Sequence, residues 1–161
     1  MAHLARDGGV PPLCFQMLLY PGTDMSMSQP SYKRDFTQFP LSIKAIEYFI
    51  GHYLRDRNDY ADQRAAPLLA ANFNQLAPAF VLTAGYDPLA DEGMAYARKL
   101  EESGVPVTLI HMSDQMHGFL TMGRVIRASD LALEMAGAAL ARAFRIKSTT
   151  AAQELKGVAF G

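Results

Sequence analysis

The sequence is poor in the features that mark specialised chains. It has one cysteine, Cys14, and no tryptophan. A lone cysteine closes no internal disulfide, which excludes a stapled secreted scaffold. Charge of neither sign dominates: 15 Lys and Arg stand against 16 Asp and Glu, for a formal net charge of −1. That balance leaves no basic footprint for nucleic acid and no acidic solvating tail. No apolar run approaches the roughly 18 residues of a membrane-spanning helix. The opening run, MAHLARDGG, lacks the apolar centre of a signal peptide, so a cytoplasmic placement is the expectation. What is there is ordinary. Of 161 residues, 50% are hydrophobic, 10% aromatic and 19% charged. This is the composition of one folded domain and not of disorder, collagen or coiled coil. Methionine is frequent and reads as adaptable core filler.

Three short apolar runs read as buried strands. They are Cys14 to Tyr20, Ala79 to Tyr86 and Val107 to Met112, each bounded by Pro or Gly. Their near-continuous apolar character, without alternation, is that of parallel strands covered on both faces. Helical patterns lie between and after them. Ser42 is a plausible N-cap for a helix carrying Ile43, Ile46, Phe49 or Ile50, and Tyr53 or Leu54. Asp91 or Glu92 opens the next helix, with Met94, Ala97 and Leu100 on its apolar stripe and Gly104 as its stop. A third runs from about Arg124 to Phe144, with Ile126, Leu133, Ala136, Leu140 and Phe144 on one side. Strands alternating with helices predict an α/β fold with a parallel sheet and right-handed crossovers. Gly22 to Pro40 is long and polar for a connection in a compact domain. Residues 146–161 are weakly patterned and expected to be a loosely held tail. Three strands make a small sheet, so the chain reads as part of a larger one.

Open α/β sheets place their sites at the carboxyl ends of strands. Two loops qualify: Gly85 to Gly93, with Asp87, and Asp114 to Phe119, with His117. One helix and one strand separate Asp87 from His117, which makes their strand ends neighbours in a β-α-β unit. A carboxylate beside an imidazole fixes its tautomer and frees the second nitrogen as a general base. The structural alternative is a helix-capping Asp and a surface His.

The run PAFVLTAGYDPLADEGMAYARKLEESGVPVTLIHMSDQMHGF resembles the C-terminal part of the hormone-sensitive-lipase-like α/β-hydrolases, which are bacterial esterases and lipases. The motif D-P-L-x-D-E-G followed at this distance by H-G-F is a specific combination. Upstream, CFQMLLYPGTD resembles the strand that follows the family's nucleophile helix, and the likeness extends over about Leu4 to Phe144. The resemblance implies a three-layer α/β-hydrolase fold, of which only the last three strands of the mostly parallel sheet and their helices are present, over residues 1–145. It implies a carboxylic ester hydrolase with a Ser-His-Asp triad, in which Asp87 is the acid and His117 the base. No metal and no organic cofactor is implied. Asp91 and Glu92 match the family's D-E-G and read as helix-start residues. Gly118 and Phe119 read as turn and packing. Residues 22–53 match a segment that contributes to a cap over the acyl pocket, which Met25, Met27, Phe36 and Phe39 would suit as lining; local packing of a long loop is the equal alternative.

Neither G-x-S-x-G nor H-G-G-G occurs in the sequence. The resemblance therefore places two of three triad members here, and the expectation for the chain alone is inactivity. None of the serines, Ser113 near His117 included, sits in a strand-turn-helix elbow between glycines, and Cys14 reads as an inert core thiol. His111, Asp114 and His117 form H-x2-D-x2-H, which matches no established zinc spacing and runs through a strand. His3 and His52 read as surface residues. A flavodoxin-like domain is disfavoured because no Gly-rich phosphate loop follows the first strand. The partners expected are a small acyl ester for the complete enzyme and no nucleic acid. The second reading is an inactive truncated fragment that forms a homo-oligomer, or pairs with its N-terminal half, through an open strand edge.

Overall fold

The computed structural model describes residues 1–158, with side chains through Arg145. The tail expected over 146–161 lies outside the residues whose side chains are described. Three strands form one sheet in the order of the chain: β1 (Gln16–Leu19), β2 (Ala79–Tyr86) and β3 (Val107–Met116), both pairings parallel. Helices α1 (Ala2–Arg6), α2 (Ile43–Tyr53), α3 (Ala90–Glu102) and α4 (Arg127–Val158) flank it. This is the three-strand parallel sheet with flanking helices that the resemblance leads one to expect. Among the described residues no helix is long and apolar enough to cross a membrane.

The central strand is where the apolar run told most. Six consecutive residues of β2 are buried, from Ala79 through Ala84, so both faces are covered. On one face Val81 packs with Tyr96, Ala97 and Leu100 of α3. On the other, Phe80 and Leu82 meet Phe119 and the alanines Ala132 and Ala136 of α4. Each such large side chain contributes about 1.5–3 kcal/mol on burial. β1 is shorter than its apolar run: it starts at Gln16, and Cys14 is half-buried before it. β3 is longer than expected by four residues, and its positions are exposed or half-buried throughout, with none fully buried.

Local chemistry explains the helix ends. The Ser42 hydroxyl accepts from Ala45 N–H and caps α2. At the far end of α3, Val105 N–H returns to Leu100 O and Gly104 N–H to Glu101 O, the double closure expected after a helix stop. Of the stripe expected for α4, Ala136 is buried and Ile126 packs against the same core, but Leu133 and Phe144 are 48% and 56% exposed and Ala132 is buried in their place. Small side chains let this helix lie close on the sheet. The polar segment after β1 is folded locally, with a single 3-10 turn at Pro30–Lys33.

Candidate active site

Asp87 and His117 each stand one residue beyond a strand. Asp87 follows Tyr86 at the end of β2, and His117 follows Met116 at the end of β3. The two strands are parallel neighbours, so their carboxyl ends lie side by side. His117 N–H donates to Tyr86 O at 3.3 Å and carries the ladder one step past the strand. Gly118 then takes φ +81°, a left-handed conformation that turns the chain sharply into the 3-10 helix Phe119–Met122.

The ladder is irregular just before the site. Ala84 pairs with Met112 but Tyr86 pairs with Met116, so the register shifts across Gly85. At that point the strands come very close: a Cβ on Gly85 would lie 2.0 Å from the Ser113 carbonyl oxygen. Only glycine permits that approach. The bulge advances β3 relative to β2 and brings His117 level with Asp87.

His117 Nδ1 donates to Asp87 Oδ2 at 2.7 Å. The other carboxylate oxygen, Oδ1, accepts from Leu89 N–H at 2.9 Å. The Asp87 side chain is 1% exposed and that of His117 is 27% exposed. A buried carboxylate needs partners on both oxygens, and Asp87 has them. In the neutral ring that bond places the proton on Nδ1 and leaves the Nε2 lone pair free. Tyr20, the residue after β1, packs its ring against the imidazole at 5.0 Å between centroids.

Beside His117 lies a cavity of about 290 Å³. Leu41, Ile46, Phe49, Ile50 and Tyr53 supply most of its apolar wall, and Met25 and Leu89 complete it. Of the four lining residues expected from sequence, Met25 is placed there. Met27 packs against the α2 cluster. Phe36 is 2% exposed, and Phe39 stacks on Tyr86 at 5.3 Å. The lining comes instead from α2, whose Phe49 and Tyr53 are more than half exposed because they stand at the cavity's rim.

Two carboxylates missed as site features line the same cavity. Glu92 is fully buried at the first turn of α3. Its Oε1 accepts from the Thr23 and Asp24 N–H groups, and its Oε2 accepts from the Tyr32 hydroxyl at 2.7 Å. Burial pushes its carboxyl up to about 7, although the hydrogen bonds from Tyr32, Thr23 and Asp24 act the other way. Burial also pushes Asp24 upward, but hydrogen bonds from Ser26 and Ser28 outweigh it and leave that carboxyl below its ordinary value. Asp91 ties the same loop, accepting from Ser31 N–H at 2.7 Å. The D-E-G acids are therefore more than helix openers: they fasten the cavity wall to the first turn of α3, just after Asp87. No local pattern signals this, because the partners lie some 60 to 70 residues away.

The remaining candidates do not join the site. His111 Nδ1 pairs with the Thr83 hydroxyl at 2.9 Å, and Asp114 is exposed. Among the described residues no three His, Cys, Asp or Glu side chains converge as a metal ion would require. His52 is on the surface, as read, and pairs with Tyr48 O. His3 is not: it is 4% exposed, edge-on to Phe73 at 5.1 Å, and burial holds its imidazole below the usual value.

A parallel sheet with a histidine–carboxylate pair at its carboxyl ends is the framework of an α/β hydrolase, and the comparisons agree. A family model described as alpha/beta hydrolase fold matches residues 1–121. The chain is 41% identical over 128 residues to the carboxylic ester hydrolase LipN of Mycobacterium tuberculosis, covering 76% of this chain and 34% of LipN. It is 39% identical over 125 residues to the ethyl acetate hydrolase of Pseudomonas putida, covering 78% and 39% of the two. The structure of an ester-hydrolase from the metagenome of Lake Arreo superposes with a TM-score of 0.81 at 40% identity, over 89% of this chain and 45% of that one. The chain belongs to the hormone-sensitive-lipase-like α/β-hydrolase family. It spans less than half the length of these relatives.

Proposed function

We propose that this chain supplies the acid, the base and one wall of the acyl pocket of a carboxylic ester hydrolase, within residues 1–145. The hydrogen bond between His117 and a buried, doubly held Asp87, beside an apolar cavity, carries this reading. Residues 22–53 contribute to the cap over that cavity. His117 Nε2 takes the proton of a serine hydroxyl as it attacks the ester carbonyl, forming a tetrahedral intermediate. Asp87 stabilises the imidazolium that results and holds its orientation. Collapse of the intermediate returns the proton from Nε2 to the leaving alcohol, and a water then repeats the cycle on the acyl-enzyme. No G-x-S-x-G occurs in this sequence, so the serine and the oxyanion donors come from outside it, and the chain alone is expected to be inactive.

The test is hydrolysis of a short p-nitrophenyl ester. The purified chain should give no turnover above the His117→Ala control. Joined to an N-terminal half carrying G-x-S-x-G and H-G-G-G, it should turn over. In that form Asp87→Asn should lower kcat about 10⁴-fold and His117→Ala by as much or more. Full activity in His117→Ala would sink the assignment.

One observation favours the second reading, an inactive fragment that pairs with another chain. Among the described residues β1 bonds to a strand on one side only. A cavity of about 310 Å³ runs along it, lined by apolar residues including Leu13, Phe15 and Met17. An open parallel edge is a template for a further strand. Sedimentation velocity should show a species larger than the monomer, and a monodisperse monomer would exclude self-association.

A further inference from the structure

We propose that Tyr20 is a positioning residue for His117: its ring backs the imidazole while its hydroxyl clamps the turn that follows. The inference rests on the reading of His117 as the base and adds a second holder to the one Asp87 provides.

Three features of Tyr20 converge. Its backbone is in the left-handed region, at φ +50°. A bulky non-glycine residue is rarely found there, and such conformations persist where the surroundings over-determine them. The strain turns the chain out of β1, just after Tyr20 N–H has bonded Leu82 O at 2.8 Å, and aims the side chain across the top of β2. There the ring meets His117 at 5.0 Å with the planes 47° apart, and Phe119 edge-on at 5.7 Å. Its hydroxyl oxygen accepts from Leu120 N–H at 3.1 Å. Burial pushes the hydroxyl up to about 12, so it stays a neutral phenol through the range in which an esterase works.

The geometry answers a mechanical need. Asp87 holds the imidazole by one bond, at Nδ1. One hydrogen bond leaves the ring free to swing about that contact, and Nε2 must stay aimed at the nucleophile. A flat wall on its flank removes the swing. The turn after His117 is built on Gly118 in a left-handed conformation, and it closes on itself through Thr121 N–H to Gly118 O at 3.0 Å. The Leu120 amide, anchored on the Tyr20 hydroxyl, ties that turn to the end of β1. The residue that walls the ring and the residue that pins the turn are the same one.

The test uses the whole chain and nuclear magnetic resonance, with no need of turnover. The sequence holds only four histidines, and His117→Ala assigns the one in question. In wild type the His117 ring protons should carry a ring-current shift, and the Nδ1 proton bonded to Asp87 should exchange slowly. Tyr20→Leu should abolish the shift and speed Nδ1 proton exchange about tenfold, the factor carried by a single hydrogen bond's worth of restraint. Tyr20→Phe keeps the wall and should retain the ring shift, while exposing the Leu120 amide to exchange about tenfold faster. If Tyr20→Leu loses its fold, the Tyr20→Phe result decides alone. Unchanged His117 shifts in folded Tyr20→Leu, or an unchanged Leu120 amide in Tyr20→Phe, would overturn the proposal. Asp87→Asn separates the two readings: it removes the slow Nδ1 proton whatever Tyr20 does. A wild type lacking that proton would count against the Asp87–His117 pair, while the ring shift would still judge Tyr20.

Discussion

Gly85→Ala is expected to cost the chain about 3 kcal/mol or more of stability and to pull apart the ends of β2 and β3. Overpacking a well-filled site costs about 1–3 kcal/mol when side chains can yield. Here they cannot. The added Cβ would lie 2.0 Å from the Ser113 carbonyl oxygen, 2.6 Å from its carbon and 2.8 Å from its Cα. All three are backbone atoms of the neighbouring strand, so relief requires moving β3 itself. The movement falls four residues before His117. Urea denaturation measures the loss, and Gly51→Ala is the matched control. Gly51 lies within α2 with nothing within 4 Å of its would-be Cβ. Alanine there should be neutral or stabilising by up to about 1 kcal/mol. Equal midpoints for the two variants would show that the strands are not held together at Gly85 as described.

The second large effect is a dependence of stability on pH set by Glu92. Its carboxyl titrates near 7 in the folded chain against an ordinary 4.5, chiefly because it is buried. The folded state therefore binds this proton more tightly than the unfolded state. The stabilisation is complete below about 4.5 and is lost as pH rises through about 7. The difference corresponds to about 3 kcal/mol. Glutamine keeps an oxygen for the Thr23 and Asp24 N–H groups and offers an amide to the Tyr32 oxygen, without a charge. Glu92→Gln should thus gain on wild type by about 3 kcal/mol between pH 4.5 and pH 8, measured as the difference between paired urea titrations. The pairing matters because His3 works in the opposite sense. Its lowered value means stability lost as pH falls below its ordinary 6.5. That contribution is common to both proteins and cancels. Asp24, held below 3.8, acts only at more acidic pH. A difference that stays flat across the range would mean that Glu92 is ionised at no cost.

The sequence was most readable where one element carries its own instructions. β2 lies within Ala79 to Tyr86 as expected, because a strand buried on both faces can be apolar throughout. Asp87 and His117 were found by position, each following a strand, and the structure brings them together at 2.7 Å. β3 was cut short because Ser113, Asp114 and Gln115 look like a loop, yet an edge strand tolerates polar residues on its open side. His3 was misplaced because a five-residue helix at the start of the chain gives no sign of packing on Phe73 and Tyr96. Glu92 and Tyr20 were passed over for a common reason. An acid in a first helical turn and a tyrosine ending a strand are unremarkable locally, and their partners sit far along the chain.

The spacing of those contacts also orders the assembly of the site in time. Thr83 and His111, across β2 and β3, are 28 residues apart, and Asp87 and His117 are 30 apart. Gln16 reaches Ala77 across 61 residues, and the Tyr20 hydroxyl meets Leu120 across 100. Closing a longer loop takes more chain entropy, and contacts of short span form sooner. The β2–α3–β3 unit is therefore expected to nucleate first, with acid and base already adjacent, as pulse-labelling hydrogen exchange would show. On the same ground β1 is expected to dock afterwards, and the tyrosine that follows it to close last over a pair that has already met.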